Sequence, residues 1–281
     1  MRQFGRLVTG CLVVAMSIMS GAWAESDVSI TPDVVYGHKD GMALTYDVIK
    51  PKKANGAAII YMVSGGWFSR YSPPESAAKR FAGMLDSGYT VYTVRHGSAP
   101  KFKVPEAVAD VENAVTHIYD HAEEHGVDPG RLGVFGGSAG GHLSLMLGCA
   151  TGPVGEAPDD DAKAGKGRVA AVVAYFPPVD LRSIVGPNER FPALEFEQED
   201  AAYVSPILHV TPDDPPTLLI HGDEDKLVPI LTSETIHAAF IENKVTTDFI
   251  TIPGAGHGFR GDDADVAMRA VIGWFDEHLG E

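Results

Sequence analysis

The sequence predicts one α/β domain built on a doubly wound, mostly parallel β-sheet. Three observations carry that expectation. Short apolar runs alternate with stretches of helical period along the chain. Several of those runs are continuously apolar rather than alternating, as strands covered on both faces require. With 281 residues, 44% hydrophobic and 21% charged, the chain can bury one large core. No repeat or low-complexity stretch divides it, and Gly and Pro are scattered at turns instead of pooled in a linker.

The first segment differs from the rest. Met1-Arg2-Gln3-Phe4-Gly5-Arg6 is basic, Leu7 to Met19 is apolar, and small residues end in Ala22-Trp23-Ala24. That order is expected of a secretory signal peptide, residues 1–24, cleaved after Ala24. The apolar stretch would rise about 20 Å as a helix, short of the ~30 Å hydrocarbon core, so stable membrane insertion is not expected. Val8-Thr9-Gly10-Cys11 resembles a lipoprotein cleavage box, but it precedes most of the apolar region where it should follow it. The expected product is residues 25–281, exported to the periplasm or beyond the cell. Cys149 is then its sole cysteine, so no internal disulfide is expected. Loss of Arg2 and Arg6 leaves 20 basic against 38 acidic residues, a net −18. Such a charge repels nucleic acid and anionic lipid.

The body of the chain starts with a hairpin. Val34-Val35-Tyr36 and Met42 to Ile49 flank a turn containing Asp40-Gly41. Ala57 to Val63 reads as a buried strand ended by Ser64-Gly65-Gly66, followed by a helix over about Glu75 to Leu85 and a strand from Tyr89 to Val94. Pro105, Val108, Val111, Ala114, Val115 and Ile118 have amphipathic spacing and predict a helix ending near Gly126. Then come strand Leu132 to Phe135, helix Gly141 to Cys149, strand Val169 to Tyr175, strand Thr217 to His221, helix Leu231 to Glu242, strand Thr247 to Ile252 and helix Asp263 to Leu279. Two stretches break the alternation. Thr151 to Gly167 is a polar loop containing Asp159-Asp160-Asp161. Val179 to Pro215 is Pro-rich and irregular, and is read as a small cap, against the alternative of an ordinary surface connection.

Gly136-Gly137-Ser138-Ala139-Gly140-Gly141 satisfies G-x-S-x-G between a predicted strand and a predicted helix. A nucleophile on so tight a turn needs strained backbone angles, and small neighbours let the turn close. Ser138 would stand at a helix N-terminus, where backbone donors favour a developing oxyanion. A phosphate-binding turn is disfavoured, since neither Gly-Lys-Ser/Thr nor a first-unit G-x-G-x-x-G is present. A serine hydroxyl needs a base. Of eleven histidines, His257 fits best, in Gly254-Ala255-Gly256-His257-Gly258-Phe259 after the last strand. The acid belongs between them in chain order, and Gly222-Asp223-Glu224-Asp225 supplies three candidates that spacing does not separate. A second oxyanion donor is expected from the backbone of Gly66 or Trp67, joining that of Ala139.

These motifs resemble those of α/β-hydrolases of the esterase/lipase superfamily, especially bacterial bifunctional feruloyl and acetyl-xylan esterases, with prolyl-oligopeptidase-type peptidase domains more distant. The similar segments are Ser64-Gly65-Gly66-Trp67, Gly136 to Leu143, His221 to Pro229 and Gly254 to Phe259, in family order over most of the chain. The resemblance implies the α/β-hydrolase fold with a triad of Ser138, Asp225 and His257. It chooses Asp225 because the acid in similar hydrolases stands three residues before a Val-Pro pair, here Val228-Pro229. Asp223 is left to brace the loop. The family's His-Gly-Gly-Gly-Trp is here Val63-Ser64-Gly65-Gly66-Trp67, which keeps the backbone donors and loses the histidine.

The implied activity is two-step hydrolysis of small-molecule or carbohydrate esters, with no cofactor and no metal. The alternatives are a serine peptidase acting on short peptides and a non-catalytic binding protein on the same fold. His117, His121 and His125 recur every four residues and would suit zinc, but polar or cationic groups also suit a helix C-terminus. Asp159-Asp160-Asp161 lacks the spacing of a calcium loop. His142, one turn into the helix after Ser138, reads as a packing or supporting residue.

Overall fold

A computed structural model describes residues 28–149 and 168–280. Residues 1–24, expected to be a signal peptide, and the polar loop with Asp159-Asp160-Asp161 lie outside the described residues. Eight strands form one sheet: β1 (Val28–Lys39), β2 (Met42–Pro51), β3 (Ala58–Met62), β4 (Thr90–Val94), β5 (Leu132–Gly137), β6 (Ala171–Tyr175), β7 (Thr217–Gly222) and β8 (Thr247–Ile252). Their order is β1-β2-β4-β3-β5-β6-β7-β8. From β4 to β8 every neighbour is parallel, whereas β1 pairs with β2, and β2 with β4, antiparallel.

The covered strands are those with continuous apolar runs. All of β4 and β7 is buried, and β3 and β5 are buried at every position but one. β1 is half exposed, as an edge strand should be, and joins β2 through Asp40 and Gly41, both left-handed at φ +48° and +76°. One face of the sheet carries α3 (Val104–His121), α4 (Ala139–Cys149) and α5 (Leu231–Glu242), packed on Val134, Val172 and Leu219. The other carries α1 (Pro74–Arg80), α2 (Ala82–Asp86) and α6 (Asp262–His278), packed on Ile59, Phe135 and Ile220. Every residue of α4 is buried, so the segment that follows Ser138 runs through the centre of the molecule.

The structure departs from the sequence reading in two places that matter here. The single helix expected over Glu75 to Leu85 is two, broken at Phe81, whose φ of −105° and ψ of +21° leave the helical region. The break lets the Phe81 ring settle 4.7 Å from that of Tyr61, under the end of β3. The helix expected from Gly141 starts at Ala139, directly after Ser138. The stretch 179–215 folds as short 3-10 turns at Pro192–Leu194, Gln198–Ala201 and Pro206–Leu208. It is anchored by buried Leu181, Leu194 and Val204.

Candidate active site

Ser138 occupies the turn between β5 and α4 with φ +55°, a left-handed angle that costs a non-glycine residue roughly 1–2 kcal/mol. Its neighbours make the turn geometrically feasible. A Cβ at Gly136 would strike the backbone of Gly140. The conformation is held by main chain: Ser138 N–H donates to the Tyr175 carbonyl of β6 at 2.9 Å, and the His142 N–H donates to the Ser138 carbonyl at 2.9 Å. A side chain projects from this turn at the carboxyl end of the sheet.

His257 follows β8 by a few residues and reaches that side chain. Its Nε2 lies 3.0 Å from Ser138 Oγ and its Nδ1 2.7 Å from Asp225 Oδ2. The tautomer that satisfies both contacts carries its proton on Nδ1, leaving Nε2 to accept from the serine hydroxyl. The His257 side chain is 21% exposed while the Asp225 carboxylate is fully covered, so the imidazole meets solvent and the carboxylate does not. The ring is pressed from one side by Phe176, 4.5 Å away between centroids.

Asp225 is the member of the acidic loop that faces His257. Burial pushes its carboxyl upward, but hydrogen bonds from His257 and from the backbone N–H groups of Val228 and Leu227 outweigh this and hold it below the usual carboxylate range. It is therefore an anion at neutral pH. Asp223 instead accepts the Gly254 N–H on Oδ1 at 2.6 Å, tying the acid loop to the histidine loop. Beneath both, His221 is fully buried and donates from Nε2 to the Val228 carbonyl at 2.9 Å while Nδ1 accepts from Ser233 Oγ at 2.8 Å. Burial holds this imidazole below its ordinary value and hence neutral.

The Ser64-Gly65-Gly66-Trp67 segment makes a tight turn. Gly65 and Phe68 exchange backbone hydrogen bonds at 3.0 and 3.1 Å, with Gly66 at φ +59° and Trp67 at φ +58° between them. The N–H groups of Gly66, Trp67 and Ala139 have no acceptor among the described residues. Gly66 must lack a side chain, since a Cβ there would lie 2.8 Å from the Phe191 ring. Ser64, which follows Val63 at the place of the family's histidine, is braced from the segment after β4. Its hydroxyl donates to His96 Nε2 at 2.9 Å, and His96 Nδ1 donates to the Gly97 carbonyl at 2.8 Å.

Trp67 is secured by a residue whose part the sequence reading left general. Its indole Nε1–H donates to His142 Nδ1 at 3.3 Å, and His142 Nε2 donates to the Val204 carbonyl at 2.7 Å. Burial pushes the His142 imidazole down to about 4, so it is neutral and fixed in one tautomer. His142 thus links the Trp67 turn, α4 and the 179–215 segment. His96 and Phe176 carry no signal in the sequence, whereas His221 stands at a strand end, at i,i−4 from Asp225, in a similar segment that assigns it no role.

His117 and His121 stack with ring centroids 4.1 Å apart, but they form no metal-holding group with His125. His117 Nδ1 meets Tyr46 Oη at 3.1 Å, His121 Nδ1 donates to the His117 carbonyl at 2.8 Å, and His125 lies edge-on to Tyr92. Among the described residues no three His, Cys, Asp or Glu side chains form a group fit to hold a metal ion, and no helix is long and apolar enough to cross a membrane.

A serine hydroxyl bonded to an imidazole whose other nitrogen meets a buried carboxylate is set up to lose its proton as the oxygen attacks an electrophile. Comparison with known proteins agrees with that chemistry. The chain is 26% identical to esterase LipQ of Mycobacterium tuberculosis over 263 residues, 89% of this chain and 62% of LipQ. It spans between about two fifths and three fifths of the length of the mycobacterial curated relatives it matches. A truncated carbohydrate esterase from gut microbiota superposes with a TM-score of 0.76 at 27% identity, covering 92% of this chain and 99% of the other. Apo esterase 2 of Thermogutta terrifontis gives a TM-score of 0.73 at 26% identity, covering 91% and 96%. The family profile described as BD-FAE matches residues 46–240, from β2 through α5. With more than half of its length matched, in a sheet shared with those esterases, the chain is an α/β-hydrolase and belongs to the BD-FAE family.

Proposed function

We propose that the chain is a serine carboxylic ester hydrolase that works through an acyl-enzyme on Ser138. The observation that carries this reading is the hydrogen-bond chain from Ser138 Oγ through His257 to Asp225, at 3.0 and 2.7 Å. Ser138 Oγ attacks the ester carbonyl and His257 Nε2 takes its proton. The tetrahedral oxyanion is received by the N–H of Ala139 and an N–H of the Gly66-Trp67 turn, each such donor contributing roughly 3–4 kcal/mol to the transition state. The alcohol leaves with the proton from His257, and water activated by the same nitrogen releases the acid. Asp225 holds the imidazole tautomer and stabilises the imidazolium.

Acylated carbohydrates are the proposed substrate class, supported by the family and by the gut carbohydrate esterase whose fold this chain shares. Residues 179–215 are proposed as a cap, supported by the contact of Phe191 with Gly66 and of Val204 with His142. Export as residues 25–281 is proposed from the order of charge and apolarity in residues 1–24. Intact-mass measurement of the secreted species tests it, and retention of residues 1–24 or a diacylglycerol on Cys11 contradicts it. A panel of p-nitrophenyl esters, acetylated sugars and short peptide anilides tests the activity. Ester turnover with inert anilides is expected, and preferential anilide cleavage would replace the esterase reading with a peptidase.

A further inference from the structure

A cavity of about 600 Å³ borders the Gly66-Trp67 turn on the side of the sheet that carries α1 and α2. Gly65 and Phe68, which close that turn, both line it, and so do Arg70, Arg80 and Arg95. Arg95 is committed to Asp47 at 2.6 Å and Asp33 at 2.8 Å. Arg70 and Arg80 make no ion pair or hydrogen bond with any of the described residues. Each is stacked instead. Arg80 lies 5.2 Å from the Tyr61 ring centroid and 5.7 Å from that of Phe81, and Arg70 lies 5.4 Å from that of Phe68. Stacking holds a guanidinium by its face and leaves its N–H edge open to a planar anion.

Acids outnumber bases 38 to 22 in this chain, so two guanidiniums without a carboxylate are not explained by a shortage of carboxylates. Both face one cavity, and Arg70 is stacked on a residue of the turn itself. We propose that this cavity is a carboxylate-binding subsite, in which Arg70 and Arg80 hold an anionic group carried by the substrate while its ester lies at Ser138. The proposal rests on the ester-hydrolase reading and names a substrate feature within it. The carboxylate comes from the alcohol side, as in an acylated uronic acid, or from the acyl side, as in a half-ester of a dicarboxylic acid. Ser72 and Ser76 add hydroxyl groups to the same wall.

The test compares two matched pairs on the full chain: an acetylated glucoside against the acetylated glucuronide, and p-nitrophenyl butyrate against the p-nitrophenyl half-ester of glutaric acid, each corrected for its hydroxide rate. In at least one pair the anionic member is expected to have about tenfold higher kcat/KM at low salt. That preference should collapse as ionic strength rises from about 10 mM to about 1 M, where the screening length falls from ~30 Å to ~3 Å. It should also fall about tenfold in the Arg70→Gln, Arg80→Gln double variant, measured relative to that variant's own rate on the neutral partner. The pair that responds identifies the side that bears the carboxylate. Neutral preference in both pairs, or a preference that survives salt and the double substitution, overturns the subsite. Failure to hydrolyse either member of either pair overturns the underlying activity instead. The salt series on the unmodified chain decides the matter even if the double variant does not fold.

Discussion

Ser138, Asp225 and His257 each stand within five residues of a strand's carboxyl end; main-chain hydrogen bonds hold the turns of Ser138 and Asp225, and the Asp223 carboxylate ties the loop of His257 through the Gly254 N–H. The Gly66-Trp67 turn also follows a strand, but side chains from β4's exit, from α4 and from the 179–215 segment hold it: His96 on Ser64, His142 on Trp67 and Phe191 on Gly66. The first region is set mainly by short turns hung directly on the ends of neighbouring strands, the second mainly by side chains that reach it from other elements. Damage to the first should therefore act on the chemistry itself. Damage to the second should act through displaced donors and be partial.

The largest expected effect lies in the first region. Asp225→Asn should lower kcat by about 10⁴ by favouring the wrong imidazole tautomer, a magnitude taken from a serine protease. Asp223→Asn should cost no more than about tenfold, because that carboxylate only ties the Gly254 N–H. Kinetics on both variants, after thermal melting shows them equally folded, checks the contrast. A near-normal kcat in Asp225→Asn with a loss in Asp223→Asn would reverse the assignment.

Next comes a stability effect of the second region. His142 has a folded-state value of about 4, against about 6.5 for an unfolded histidine. Between those values the unfolded chain binds more protons, so stability should fall as pH drops from about 6.5 to about 4. The loss is on the order of 3 kcal/mol, or about 10² in the folding equilibrium. Denaturant titrations at a series of pH values should show this slope, and His142→Gln should flatten it. An unchanged slope in the variant would mean that other groups set the acid limit.

Smaller effects follow within the turn. Trp67→Phe removes the indole donor to His142 but keeps the backbone N–H, and should lower kcat by about tenfold with KM nearly unchanged, less than the 10²–10³ lost with a whole oxyanion donor. Ser64→Ala, which leaves His96 Nε2 without its partner, should cost only about threefold in kcat and about 1 kcal/mol in stability. Steady-state kinetics and melting on the two variants would break the comparison if Ser64→Ala proved the worse.

The same contrast explains what could be read from the sequence. The succession of strands along the chain and the tight turn at Ser138 were legible because a buried parallel strand and a left-handed turn between strand and helix each impose residue types on consecutive positions, as in Ala58–Met62 and Gly136 to Gly141. The acid was not, since Asp223, Glu224 and Asp225 differ only in which side chain turns toward His257. Resemblance chose among them. The break at Phe81 escaped because it answers to Tyr61, 20 positions away on the sheet face beneath it. His96 was invisible for a similar reason: nothing near it in the chain announces Ser64, which lies 32 positions away.

The most direct test of the central claim is covalent labelling. A fluorophosphonate added to the folded chain should attach at one position, mapped by peptide mass spectrometry to the segment carrying Ser138, and Ser138→Ala should abolish both the label and ester turnover while leaving the melting transition in place. Label on another residue, or undiminished labelling and turnover in the folded Ser138→Ala variant, would contradict the account.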